Sequence, residues 1–329
     1  SNVSGFLADL LTSYQADGIT NLGNEVITLR DTGTVAASDL TTLATLNSSG
    51  TIDSRSVSTI TGTAPQIIAV YSDSTITEPA DVALNVNSGT VSVAQSRTLN
   101  SYTTGIVTGS ITTGTLVSEM LHSESGMTES GGNNAYTITI SSADASTTAS
   151  DLNSLNALST VSVNASAVLD ITGSVSDLNI AYAAGGNGEI SNLGNESVTV
   201  TDKSVSDAST LNTLNSYTTG TISAESITSL TGIASVLNTL LSSGNNVSVA
   251  DQFSVDSFSL LSTVTVTDTT MSISDLNGAI LQANTATGSE TSVFSLKSSA
   301  TINTGNEEAF TTLLGYETSG QLNIDDQNL

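Results

Sequence analysis

The one histidine, His122, is the first place to look for proton transfer or nucleophile activation. Ser123 and Ser125 lie beside it, so a Ser–His–Asp arrangement is formally open. The G-x-S-x-G turn that presents a nucleophilic serine is missing, and a single histidine next to a polar stretch reads as ordinary surface. Carboxylates are plentiful, with 31 Asp and Glu, and a glycosidase needs a pair of them. Such sites lean on aromatic sugar platforms, and the chain has no Trp. The glycines close helices or turns and build no phosphate loop. Absence of cysteine removes disulfides and thiolate metal sites. Calcium needs several convergent oxygens. Asp31, Asp202, Asp251 and Asp268 each end a strand-like segment, so they are candidates to line one edge of a strand ladder. Stacked carboxylates repel, and a divalent ion relieves that. The competing reading is a turn aspartate bonded to local backbone. No catalytic residue is expected, calcium is the one cofactor considered, and the chain is read as not an enzyme.

Charge narrows the partners. Five Lys and Arg against 31 Asp and Glu give a formal net charge of −26. A nucleic-acid binder needs a basic patch, and anionic lipid also attracts basic segments, so both are disfavoured. No run approaches the roughly 20 apolar residues of a membrane span. The chain starts at Ser1 without Met and no signal peptide is visible, which reads as a processed chain or a segment of something longer. Salt screens acidic self-repulsion beyond a few Å, so this acidic, Lys-poor surface suits a saline exterior. The sequons Asn47-Ser48-Ser49 and Asn164-Ala165-Ser166 admit glycosylation.

What must position any such residue is a unit of about 25 residues that occurs three times. Ala149–Gly173 and Ala208–Gly232 align without a gap, and Ala37–Gly62 needs one inserted residue. Each copy opens on apolar residues in steps of three: Leu152, Leu155 and Leu158; Leu211, Leu214 and Tyr217; Leu40, Leu43 and Leu46. That spacing predicts one face of a short helix. Ser150-Asp151 and Ser38-Asp39 are expected as N-cap and first turn, and Ser-Asp-Leu recurs at Ser176–Leu178 and Ser274–Leu276. Alternation then predicts a strand through Val161 and Val163, through Thr221–Ser223 and through Thr51–Asp53. Thr-Gly closes each copy, as a break before the next helix. A helix of roughly three turns and a strand of roughly five residues cannot bury their own apolar stripe, whereas stacked copies can. The expected fold is α/β: an elongated irregular solenoid of short parallel strands alternating with short helices, with a mostly β solenoid as the alternative.

The whole chain, 1–329, is expected as one continuous repeat solenoid. Residues 1–17 are expected as an N-terminal cap helix, with Phe6, Leu7, Leu10, Leu11 and Tyr14 inward. Residues 123–134 lack apolar periodicity and are expected as a joint, and 288–329 as atypical C-terminal coils. A second level of repetition links Asn21–Glu25 (NLGNE) with Asn192–Glu196, so that Gly18–Gly62 reappears as Gly188–Gly232.

The strings NLGNExVTVTD, SxSDLNxLN and TTGTISAxSITSLTG resemble repeats in very large Ser/Thr-rich surface and secreted proteins of marine cyanobacteria. Those proteins are grouped with S-layer, motility-associated or haemolysin-type calcium-binding proteins. The resemblance covers most of 18–283 and implies location and style rather than activity. The glycine- and aspartate-rich calcium nonapeptide is absent; Gly185-Gly186-Asn187-Gly188 comes nearest and lacks the aspartate.

The leading expectation is a non-enzymatic extracellular structural repeat protein that self-assembles with other copies into a cell-surface coat or filament. The runner-up is an adhesin or fibre segment binding a glycan or cell surface. The third is a polysaccharide-acting solenoid enzyme, for which only Arg30, Arg55 and Arg97 are available to line a carboxylate groove.

Overall fold

The structure is a computed structural model. It describes residues 1–128, 134–243, 258, 260–268, 270–287, 293–296, 301–303, 312, 316, 319 and 322–323. Short parallel strands alternate with ten helices among the described residues, as the repeat predicts. The helices are α1 (Leu7–Tyr14), α2 (Ala37–Leu46), α3 (Ala64–Ser72), α4 (Val93–Tyr102), α5 (Val117–Met120), α6 (Ala149–Ala157), α7 (Val175–Gly186), α8 (Ser209–Tyr217), α9 (Ala234–Ser243) and α10 (Ile273–Thr287).

The chain divides into two compact units, Ser1–Asp144 with Ser154–Ala167, and Ala145–Asn153 with Val168–Leu329. The division passes through α6. Residues 123–128 and 134, expected at a joint, lie inside the first unit.

The first unit carries two parallel ladders. One runs Asn2–Gly5, Val26–Leu29, Thr51–Asp53, Ile76–Thr77. The other runs Thr34–Ala36, Thr59–Gly62, Ala83–Val86, Val107–Ser110, Ala135–Thr137. The second unit repeats the plan with Ser146–Thr148, Asp170–Gly173, Ser197–Val200 and Ile222–Ser223. Its longer ladder is Ser204–Val205, Ser229–Gly232, Thr263–Val266, Val293–Leu296 and Leu322–Asn323. Register stacks like on like. Ile27, Ile52 and Ile76 form one buried column; Val205, Leu230, Val264, Phe294 and Leu322 form another. Period-two alternation leaves Thr, Ser and Asn on the opposite face.

Several local expectations shift. The first two leucines of each helix are buried, but Leu46 and Leu158 are only half-buried and Tyr217 is exposed. Steps of three lag the helical turn by about 60° each, so the third residue rotates off the core face. Val161 is exposed too, and the strand there is only Val163–Asn164. The capping residue sits two positions before the expected Ser. Ser174 accepts from Asp177 N at 3.1 Å, Ser272 from Asp275 N at 3.1 Å and Thr148 from Asp151 N at 3.0 Å. An N-cap oxygen reaches the N–H three residues on, so Asp is the third helical residue and the cap precedes it by three. Thr63–Gln66 and Ser92–Gln95 are full capping boxes, with Pro65 in the first turn of α3. A strand, Asn2–Gly5, stands ahead of α1, so residues 1–17 are not helix alone.

The Thr-Gly pairs end strands, and their glycines serve close approach. A Cβ on Gly173 would lie 2.9 Å from Ala149 Cβ, and one on Gly232 would lie 2.8 Å from Ala208 Cβ. The Ala that opens each repeat thus packs on the Gly that closes it.

Candidate functional site

Of the four calcium candidates, three do the same job. Asp31 Oδ2 accepts Leu7 N at 2.8 Å, Asp202 Oδ2 accepts Val175 N at 2.7 Å, and Asp268 Oδ2 accepts Ala234 N at 2.6 Å. Each donor is the first residue of α1, α7 or α9, and lies 24, 27 or 34 residues earlier in the chain. Register explains the coincidence. The last paired residues are Gly5↔Leu29, Gly173↔Val200 and Gly232↔Val266. Two positions further, one coil has turned into a helix and the next has placed Asp opposite its first N–H. The carboxylate meets an unsatisfied donor at the positive end of the helix. Asp144 does the same for Val117 N of α5 at 3.0 Å, a role sequence reasoning missed. Asp251 lies outside the described residues. Among the described residues no group of three or more Asp, Glu or His is placed to hold a metal ion.

The NLGNE string makes a second device, present once in each unit. Asn21 and Asn192 adopt φ of 63° and 66°, and Gly23 and Gly194 φ of 122° and 133°. This turn aims two successive N–H groups at one carboxylate oxygen. Glu25 Oε2 accepts from Gly23 N (2.8 Å), Asn24 N (3.0 Å) and Tyr14 Oη (2.8 Å). Glu196 Oε2 accepts from Gly194 N (2.9 Å), Asn195 N (3.1 Å) and Tyr182 Oη (3.1 Å). Both glutamates are 2% exposed. The Gly23 N–H and the Tyr14 hydroxyl hold the Glu25 carboxyl down at about 2. Burial, followed by the hydrogen bond to Glu25, pushes the Tyr14 phenol up. Burial does the same to Tyr182, reinforced by the Glu196 charge.

Asparagines join coils as well. Asn47 Oδ1 accepts Glu25 N at 3.0 Å and its Nδ2 donates to Glu25 O at 2.9 Å, with Asn47 itself 1% exposed. That closes the Asn47 sequon to glycosylation in the folded chain. On the helices of the second unit, Asn153 donates to Asp177 O at 3.1 Å and Asn179 to Thr210 O at 3.0 Å. The repeated SDLN spelling is the visible signal of this ladder.

His122 is exposed, and its Nδ1 accepts from Glu124 N and Ser125 N, both at 3.2 Å. It therefore caps a turn, and Ser125 reaches it through its backbone. Beside it is a groove of about 570 Å³ lined by Ser92, Thr112, Thr115, Ser118 and Glu119. A second groove, of about 490 Å³, lies between α7 and the stretch 202–210, with Asn179, Asp202, Ser204, Ser206 and Asp207 over an apolar floor of Val175, Ala183 and Val205. Arg30 lies over the Phe6 ring, 5.7 Å from its centroid. Arg55 is paired with Asp53, and Arg97 donates to Gly126 O at 3.1 Å.

One cluster stands apart. Tyr71 and Tyr102 stack with centroids 4.4 Å apart and planes 2° apart. Next to them Glu78 is pushed up to about 7, first by burial and further by the charge of Asp73. Burial, reinforced by the neighbouring Glu78 carboxyl, also raises Tyr71.

No protein-family model and no curated protein matches the chain. No described helix is long and apolar enough to cross a membrane.

Proposed function

We propose that the chain is a non-enzymatic extracellular structural repeat protein, built to associate with other copies of itself in a cell-surface coat or filament. One observation carries the reading: the same polar bond, donated by the first helical N–H of one coil to an Asp of the next, recurs at one register position in both units. Its acidic side chains thus serve coil-to-coil cohesion. The ends of a parallel ladder are where a further strand can add, and such edges pair readily with another chain. Asp31, Asp202 and Asp268 each have Oδ1 without a hydrogen bond among the described residues. We assign calcium, where it acts, to contacts that bring these oxygens of separate copies together. The acidic, cysteine-free composition supports an extracellular placement.

The test is electron microscopy of the purified native protein in millimolar calcium and then in chelator. Ordered filaments or sheets are expected, and their loss in chelator locates the ion at the contacts. Isolated particles under both conditions overturn self-assembly. A second reading, a glycan-binding adhesin segment, is favoured by the groove of about 490 Å³, where carboxylates, hydroxyls and an amide surround an apolar floor.

A further inference from the structure

The segment 73–82 joins α3 to the strand Ala83–Val86 and carries the next coil. Ala80 O accepts Thr104 N at 2.9 Å, and Val82 O accepts Thr103 Oγ1 at 2.6 Å. Gly105 packs so closely here that a Cβ on it would lie 2.5 Å from Asp81 O. Glu78 stands in the middle of this segment. The register Asp53↔Thr77 places it beside Ser54, which is fully buried.

Glu78 Oε1 and Tyr71 Oη are both enclosed, and neither has a hydrogen-bond partner. A neutral carboxyl in this position has a proton to give, whereas a carboxylate has only acceptors to place in the enclosed site. Its own backbone N–H favours the charged form but does not offset burial. Asp73, on the same segment, adds repulsion, and the Tyr71 and Tyr102 side chains stand at the ends of α3 and α4. On the preceding coil Arg55 is taken by Asp53, through bonds of 2.9 and 2.6 Å.

We infer that Glu78 is a proton-controlled latch: segment 73–82 accommodates its enclosed carboxyl beside the Tyr71–Tyr102 stack while that carboxyl is protonated, and ionisation loosens the segment. The sign follows from burial. The folded state holds this proton up to about pH 7, against an ordinary value of 4.5. Closure is therefore complete below about pH 4.5 and weakens as pH rises through 7. That separation of 2.5 units permits at most about a 300-fold change in the opening equilibrium. Residual solvent contact reduces it, and an increase of at least about tenfold is expected.

The chain has no Trp, so tyrosine emission is directly readable. Emission and amide hydrogen exchange, corrected for the intrinsic pH dependence of exchange, are followed from pH 5 to 9 in the wild type and in Glu78→Gln. The wild type is expected to show a transition near pH 7, with exchange in 73–82 rising at least about tenfold. Glu78→Gln is expected to stay closed throughout. A wild type without the transition, or a Glu78→Gln chain that retains it, overturns the latch. Direct titration of the ¹³C-labelled Glu78 carboxyl in the wild type needs no folded variant. A midpoint near 7 supports the proposal, and a midpoint near 4.5 refutes it.

Discussion

Replacing Asp202 with Ala separates the two roles considered for it. The wild-type Oδ2 takes Val175 N at 2.7 Å in a part-buried setting. Losing an N-terminal cap of this kind costs about 1 kcal/mol. Removing a carboxylate from the positive end of a helix costs a further 0.3–1 kcal/mol or so. Ser174 still caps α7 through Asp177 N, so the helix itself survives. The expected loss is thus about 1.3–2 kcal/mol. Asp202→Asn keeps an acceptor oxygen and gives up only the charge, for about 0.5 kcal/mol. The assay is urea unfolding followed by far-UV circular dichroism, once in millimolar calcium and once in chelator. A cap loses the same stability in both, because its partner is a backbone N–H. A loss below about 0.5 kcal/mol in chelator refutes the capping argument, and a loss that is larger in calcium than in chelator reports the ion contact proposed for Oδ1.

Asn47→Ala removes both bonds to the Glu25 backbone and leaves the buried Glu25 N–H unpaired, while Glu25 O keeps its bond from Thr51 N at 3.0 Å. About 1–3 kcal/mol of destabilisation is expected, with hydrogen exchange at Glu25 rising first. Gly173→Val forces atoms into Ala149 and is expected to cost about 1–3 kcal/mol, with partial recovery in Gly173→Val/Ala149→Gly; absence of coupling in that thermodynamic cycle counts against the contact. The Glu25 carboxyl sits at about 2 in the fold against an ordinary 4.5, so its contribution is whole above pH 4.5 and is lost as pH falls towards 2. Acid unfolding of Glu25→Gln should therefore lack part of the wild-type loss across that window, and an identical acid profile sinks this account.

Much of the architecture is written locally. Leucines in steps of three mark α2, α6 and α8, and period-two alternation marks the strands at Ile27, Ile52, Val198 and Ile222. Their repetition alone predicts stacked coils with parallel strands, because one coil cannot bury its own stripe. The recurrence of NLGNE, SDLN and Thr-Gly is equally visible. What these strings do depends on the neighbouring coil. Asp202 stands two residues beyond the strand Ser197–Val200, and its partner is Val175, 27 residues away, selected by a ladder register that no local pattern contains. Glu196 meets Tyr182 only once α7 and the following turn are folded together, and Gly232 needs its missing side chain only because Ala208 lies one coil before it. Sequence periodicity thus determined the first two inward residues of each repeat helix and the inward residues of most strands, since that follows from backbone geometry within an element, but not Leu46, Leu158, Tyr217 or Val161. Tertiary structure decided which polar groups meet, since strand offset sets each coil's height against the next.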